Sequence, residues 1–164
     1  MVGLILISLL AMGPLTTVAR VDLERYSGWW YEIARTPNRF ENGCVGNVKV
    51  YYNQRPDGKF GVHNECLKKD GGKEISNAYA KAADGTNSKL RVTFFWPFWA
   101  DYWVIDLDED YRYAVVGEPD RKYLWILSRT PAVDPELYRQ IVQRIAEKGY
   151  DASKIVATRQ EWAK

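Results

Sequence analysis

From Val45 to Ser128 the chain repeats one pattern: a short stretch of alternating residues, a turn signal, then another such stretch. Val48, Val50 and Tyr52 alternate with Asn47, Lys49 and Tyr51. A period of two gives a strand one face for a core and one for water. Arg55-Pro56-Asp57-Gly58-Lys59 then turns the chain, because proline fixes φ and glycine supplies a positive φ. The return stretch, Phe60 to Lys68, puts Phe60, Val62, Asn64 and Cys66 on one face. Further strands are expected over Lys73–Ala83, Lys89–Phe95, Tyr102–Leu107, Tyr111–Gly117 and Lys122–Ser128. Their separators are rich in Gly, Asp and Pro, except for one aromatic loop, Trp96-Pro97-Phe98-Trp99. Upstream, Trp30 to Thr36 reads as one more strand.

The pattern changes once. Asp134 suits a helix N-cap and Pro135 the first helical position. Leu137, Ile141 and Ile145 recur at helical spacing, and Lys148-Gly149 suits the end. A helix with one apolar face packs on the outside of another element. A short final strand is expected over Lys154–Thr158. The prediction is therefore all-β: an eight-stranded antiparallel up-and-down β-barrel with one C-terminal α-helix packed outside and a short final strand, in preference to a sandwich. Such a barrel is wide enough inside for side chains or one small ligand.

Two distant stretches mark one end of the barrel. Gly28-Trp29-Trp30 opens the first strand and Ser128-Arg129 closes the last. Trp30 is either a plug with Arg129 across it or an ordinary core tryptophan. A guanidinium over an indole face contributes roughly 0.5–2 kcal/mol. Gly28, Trp30 and Arg129 are the residues expected to close the barrel.

Residues 2–12 form an apolar run too short to span a bilayer comfortably. The run fits the h-region of a secretory signal peptide, with Thr17-Val18-Ala19 as small residues for cleavage, although no Lys or Arg precedes it. The expected organisation is a signal peptide or its remnant over 1–19 and a single barrel domain over 20–164. Export follows, to the periplasm or outer membrane if the chain is bacterial, with no lipidation cysteine near the cleavage point. Two cysteines, Cys44 and Cys66, suggest one disulfide in an exported chain. Counting by twos places both on the inward face of one hairpin. A turn centred on Pro56-Asp57 sets Cys44 opposite Lys69, so a bulge or a loop position must absorb the difference. Two buried free thiols are the alternative in a reducing compartment.

Composition narrows the function classes. A net charge of +2 without a basic run argues against nucleic acid as a partner. Aromatics at 14% suit a packed core, an apolar cavity, or both. Catalysis finds no support: the only histidine, His63, has outward parity, and no nucleophile elbow or second histidine accompanies it. No enzyme activity, cofactor or metal is expected.

Three motifs follow one another in order: Gly28-x-Trp30-Tyr31-Glu32-Ile33-Ala34-Arg35, then Asp108-x-x-Tyr111-Arg112-Tyr113-Ala114-Val115-Val116, then Tyr123-Leu124-Trp125-Ile126-Leu127-Ser128-Arg129-Thr130-Pro131. With Phe94-Phe95-Trp96-Pro97-Phe98 between them, the chain resembles the lipocalins, and within them the bacterial lipocalin and apolipoprotein D-like branch, over about residues 22–160. The second motif departs from the family, with Asp108-Glu109-Asp110 where the wider family has Thr-Asp-Tyr.

The resemblance implies a cavity that binds, and transports or stores, a small hydrophobic or amphipathic ligand. Fatty acids and lysophospholipids are the implied class, and membrane maintenance or stress the implied setting. The family's pocket tryptophan matches Trp125. If Trp30 points inward, parity carries Glu32 and Ala34 with it. The expected ligand-binding set is Ala34, Val50, Tyr52, Val62, Asn64, Tyr79, Val92, Phe94, Tyr113 and Trp125. The alternative is a filled barrel that contacts membrane or protein through the aromatic loop.

Overall fold

The computed structural model describes residues 12–161 of the chain. Eight antiparallel strands form a closed barrel: β1 (Gly28–Arg35), β2 (Cys44–Gln54), β3 (Phe60–Lys68), β4 (Lys73–Ala82), β5 (Lys89–Phe95), β6 (Phe98–Leu107), β7 (Tyr113–Gly117) and β8 (Leu124–Ser128). Each strand pairs with the next in sequence, and β1 pairs with both β2 and β8 to close the ring. A one-turn helix, α1 (Leu23–Tyr26), precedes β1, and α2 (Pro135–Glu147) lies outside the barrel. A two-residue strand, β9 (Val156–Ala157), adds to β1 after a 3-10 turn at Ala152–Lys154. It is shorter than the Lys154–Thr158 strand expected from sequence. The aromatic loop is also tighter than expected. Phe95 and Phe98 face each other across the turn, and Trp99 already belongs to β6.

Residues directly opposite on paired strands share a face, and this separates two cores. Inside the barrel lie Trp30, Val50, Tyr52, Phe60, Val62, Leu90, Val92, Val104, Val116 and Leu127. Between the barrel and α2 lie Ala34, Ile105, Tyr113, Val115, Leu124, Ile126, Ile141 and Ile145. Asp134 caps α2 by accepting from the backbone N–H groups of Glu136 and Leu137. Ile141 and Ile145 are the helix's buried residues, each contributing roughly 1.5–3 kcal/mol by leaving water. Arg144 ties the helix down, donating to Asp106 at 2.8 Å and to the Tyr113 hydroxyl at 2.7 Å.

Strict alternation fails in β1. Glu32 pairs with Leu127, but Ala34 pairs with Ile126, so Ile33 is an extra residue that shifts the register. Ala34, expected inside, therefore faces α2, and Arg35 turns inward beside its partner Trp125. Tyr113 is a second correction: it belongs with Val115 to the layer beneath α2, where it bonds Arg144. Tyr79 is a third. Ala78 and Ala80 pair with the inward Val62 and Phe60, so Tyr79 between them faces out. Its ring meets Trp99 edge-on at 5.6 Å and carries the Lys59 ammonium at 4.4 Å.

The two ends of the described chain take part in the fold. Residues 1–11, most of the expected signal segment, lie outside the described residues. Leu15 is buried in the layer under α2, and the Val18 N–H donates to the Val104 carbonyl at 3.0 Å. Arg121 donates to the Gly13 carbonyl at 2.7 Å. A cut after Ala19 would remove all three contacts. At the other end, the β1–β2 ladder runs only from Gly28–Tyr52 to Tyr31–Lys49. Beyond it the strands part and residues 158–161 fill the gap. The Thr158 N–H donates to the Ile33 carbonyl at 2.9 Å and the Asn47 N–H to the Arg159 carbonyl at 2.8 Å. The Gln160 amide spans the gap, donating to the Glu32 and Val48 carbonyls at 2.8 and 2.7 Å.

Candidate functional site

One end of the lumen is sealed. Gly28 has φ 102°, a conformation that a side chain would strain. Trp30, two residues on, is fully buried, and its indole N–H donates to the Tyr26 carbonyl at 2.8 Å. The Arg129 guanidinium carbon lies 3.8 Å from the Trp30 ring centroid. The same guanidinium donates to the carbonyls of Arg25, Ser27, Trp29 and Tyr111. Above this seal, the Tyr102 hydroxyl meets those of Tyr26 and Tyr52 at 2.8 and 2.7 Å, and Phe60 stacks on Tyr52 at 5.5 Å. Burial raises all three phenols above their ordinary value of 10.0, so they stay neutral. Tyr52 thus forms part of the floor, with its hydroxyl already engaged.

Above the floor the inner wall is apolar. Val50 on β2, Val62 on β3, Val92 on β5 and Leu127 on β8 all belong to the one inner cluster. Asn64 pairs with Val50 and Ser76 on this face, is half-buried, and its side chain makes no hydrogen bond with a described residue. Trp125 is half-buried against the same core. Phe94, two residues beyond Val92, stands at the rim and is 46% exposed.

The β1 bulge creates a polar cluster that alternation alone did not reveal. Arg35 Nε lies 2.9 Å from Glu41 Oε2 and Arg35 Nη1 lies 3.4 Å from Glu32 Oε1. The Trp125 indole N–H donates to Glu41 Oε2 at 3.4 Å, and the Thr158 hydroxyl donates to Glu32. Burial, with Glu41 beside it, raises the Glu32 carboxyl well above its ordinary 4.5. The folded state then holds a proton that the unfolded state releases. The stability this group contributes is full below about 4.5 and is lost as pH rises through the raised value. Glu32→Gln is expected to flatten that fall, read as a smaller change in urea midpoint between acid and neutral pH. An unchanged pH profile would assign the slope to another group.

The cysteines are bonded, with Cα atoms 5.6 Å apart. Register shifts at Cys44–Gly46 and Gly46–Lys49 bring Cys44 opposite Lys68 and within reach of Cys66. The bridge ties the start of β2 to β3 at the open end. His63 and Asp106 lie away from the lumen. His63 bonds Asn77 and Glu65 on the outer wall, and Asp106 holds Arg144. Among the described residues the most exposed aromatics lie at the open rim, Phe95 at 80%, Trp96 at 75% and Phe98 at 76%, with Phe40 on the β1–β2 loop.

Comparison with known proteins gives the same architecture. Residues 21–160 match the family model described as a lipocalin-like domain. The outer membrane lipoprotein Blc of Escherichia coli (strain K12) is 42% identical over 148 residues, spanning 88% of this chain and 82% of that protein. Temperature-induced lipocalin-1 of Arabidopsis thaliana is 40% identical over 152 residues, spanning 87% and 81%. The solved structure of insecticyanin from the tobacco hornworm Manduca sexta, at 24% identity, superposes with a TM-score of 0.71 over 93% of this chain and 88% of that one, a likeness of fold. A barrel sealed by Trp30 and Arg129, an outer helix and a match over nearly its whole described length lead to one conclusion: this chain belongs to the lipocalin family.

Proposed function

We propose that the protein binds a single-chain hydrophobic or amphipathic molecule in the barrel lumen and carries or stores it chemically unchanged. One observation carries this reading: an apolar inner wall ends in a sealed aromatic floor, and its other end is ringed by loops that carry exposed aromatics. A fatty acid or lysophospholipid matches that shape. Its chain would lie against Val50, Val62, Val92 and Leu127, and its polar end would reach Asn64 and the Arg35–Glu41 pair. Apolar area leaving water supplies most of the affinity, roughly 25 cal/mol per Å² before association costs. The likeness to an outer membrane lipoprotein supports a setting in the periplasm or at the outer membrane, and the likeness to a temperature-induced lipocalin supports a part in stress.

The test is titration with a fluorescent fatty acid, read by quenching of tryptophan emission. Trp125→Phe is expected to lose a large part of the quenching while still binding the probe. Unchanged quenching would place the ligand away from Trp125, and no uptake by either protein would refute the lumen reading. A second reading, a filled barrel that touches a membrane through its aromatic turn, is favoured by the exposure of Phe95, Trp96 and Phe98. It requires vesicle co-sedimentation without uptake of the probe, and replacing those three residues by serine should abolish the co-sedimentation.

A further inference from the structure

We propose that a cleft on the outer wall of the barrel, at its open end, binds a phosphate-class anion. The cleft, about 620 Å³, lies between the β1–β2 loop, the loop before β8 and the 3-10 turn Ala152–Lys154. Each of the three segments contributes one cation: Arg39, Lys122 and Lys154, and the lining includes no carboxylate. The backbone wall between lumen and cleft is intact. The Thr36 N–H donates to the Leu124 carbonyl and the Leu124 N–H to the Thr36 hydroxyl, both at 3.0 Å. The cleft thus lies outside that wall, and Tyr123, which lines it, meets the Trp125 ring at 6.2 Å.

How the cations are held is the decisive observation. Arg39 lies over the Phe40 ring at 5.7 Å and Lys122 over the Tyr123 ring at 5.0 Å. The two rings meet edge-on at 5.5 Å and join the two loops. An aromatic face orients a cation without cancelling its charge, as a carboxylate would. Lys154 has only a loose pair with Asp151, at 3.9 Å. Carboxylates on the same loops are engaged elsewhere. Glu41 holds Arg35 and Trp125, Asp151 accepts from the Ser153 N–H and hydroxyl, and Asp120 accepts from the Lys122 N–H. The Asn42 side chain makes no hydrogen bond with a described residue and adds two free donors.

Arg39 and Lys122, held by rings and not by carboxylates, and the loosely paired Lys154 focus positive potential into one concavity. Their origin on three separate segments, with a planar guanidinium fork among them, suits a tetrahedral anion with several acceptor oxygens better than a flat carboxylate. The phosphate could be a free ester or a lipid headgroup, since the cleft opens at the same end as the aromatic rim.

The experiment follows backbone amide shifts of the ¹⁵N-labelled protein. One arm adds inorganic phosphate. The other adds phosphatidylcholine vesicles with or without phosphatidic acid. Inorganic phosphate is expected to move the amides of Asn42, Lys122 and Ser153, with affinity falling about fivefold for each cation removed and falling again with added salt. The charge reversals Lys122→Glu and Lys154→Glu together should abolish the shifts, and Arg39→Gln gives a milder check if that pair disturbs the fold. Fluorescent fatty-acid uptake in the same variants should stay at the wild-type level, so this proposal and the lumen reading can fail separately. A response to vesicles containing phosphatidic acid but not to inorganic phosphate assigns the site to a headgroup. No response in either arm, or phosphate binding that survives the charge reversals, overturns the proposal.

Discussion

Arg129→Ala is expected to lower stability by about 3 kcal/mol, the sum of one cation–π contact and several lost hydrogen bonds. The guanidinium satisfies carbonyls from α1, β1 and the turn before β7 while covering the face of Trp30. Alanine would leave those carbonyls to whatever water reaches them and would uncover the indole. Lysine should recover little, because a single ammonium cannot span carbonyls on three segments or lie flat on the ring. Fatty-acid uptake should change little, since the polar cluster and rim lie at the opposite end. Urea denaturation decides the matter: an Arg129→Ala midpoint equal to wild type would mean that Trp30 seals the barrel unaided.

The second large effect is expected from the disulfide. Replacing Cys44 and Cys66 by alanine should cost about 3 kcal/mol, the chain-entropy value for a loop of this length, the cysteines being 22 positions apart. The loss should be concentrated near the open end. Two register shifts already weaken the ladder there, and the bridge anchors the loop that carries Phe40 and Glu41. Hydrogen exchange should accelerate at the start of β2 before it does at the barrel floor. Equal denaturation midpoints with and without reductant would show that the hairpin needs no staple.

Much of this architecture is legible in the sequence because hairpins are local. Alternation, turn chemistry and a capped helix each concern a few consecutive residues. The Trp30–Arg129 contact is long-range, yet each partner sits in a recognisable motif. What alternation cannot reveal is a single inserted residue. Ile33 leaves no mark in composition, yet it sends Ala34 to the helix and Arg35 to the lumen. The Tyr26–Tyr52–Tyr102 chain was equally hidden, since its members come from three distant segments and an inward tyrosine looks like an outward one. Tyr79 had a usable signal. It stands between two alanines whose small size suits an inner wall facing Phe60 and Val62.

The parting of β1 from β2 has a mechanical consequence. Where those strands separate, the wall is a stave formed by residues 158–161, which follow β9 directly and are held to β1 and β2 by the Thr158, Asn47, Gln160 and Glu161 hydrogen bonds. Drawing that stave outward leaves the rest of the hoop intact, because the β1–β2 ladder near the floor does not depend on it. The stretch of wall so uncovered runs alongside Glu32, whose carbonyl and carboxylate both accept from residues of the stave. A pull on Glu161 would be borne first by its N–H bond to the Asn47 side chain and by the two Gln160 amide bonds.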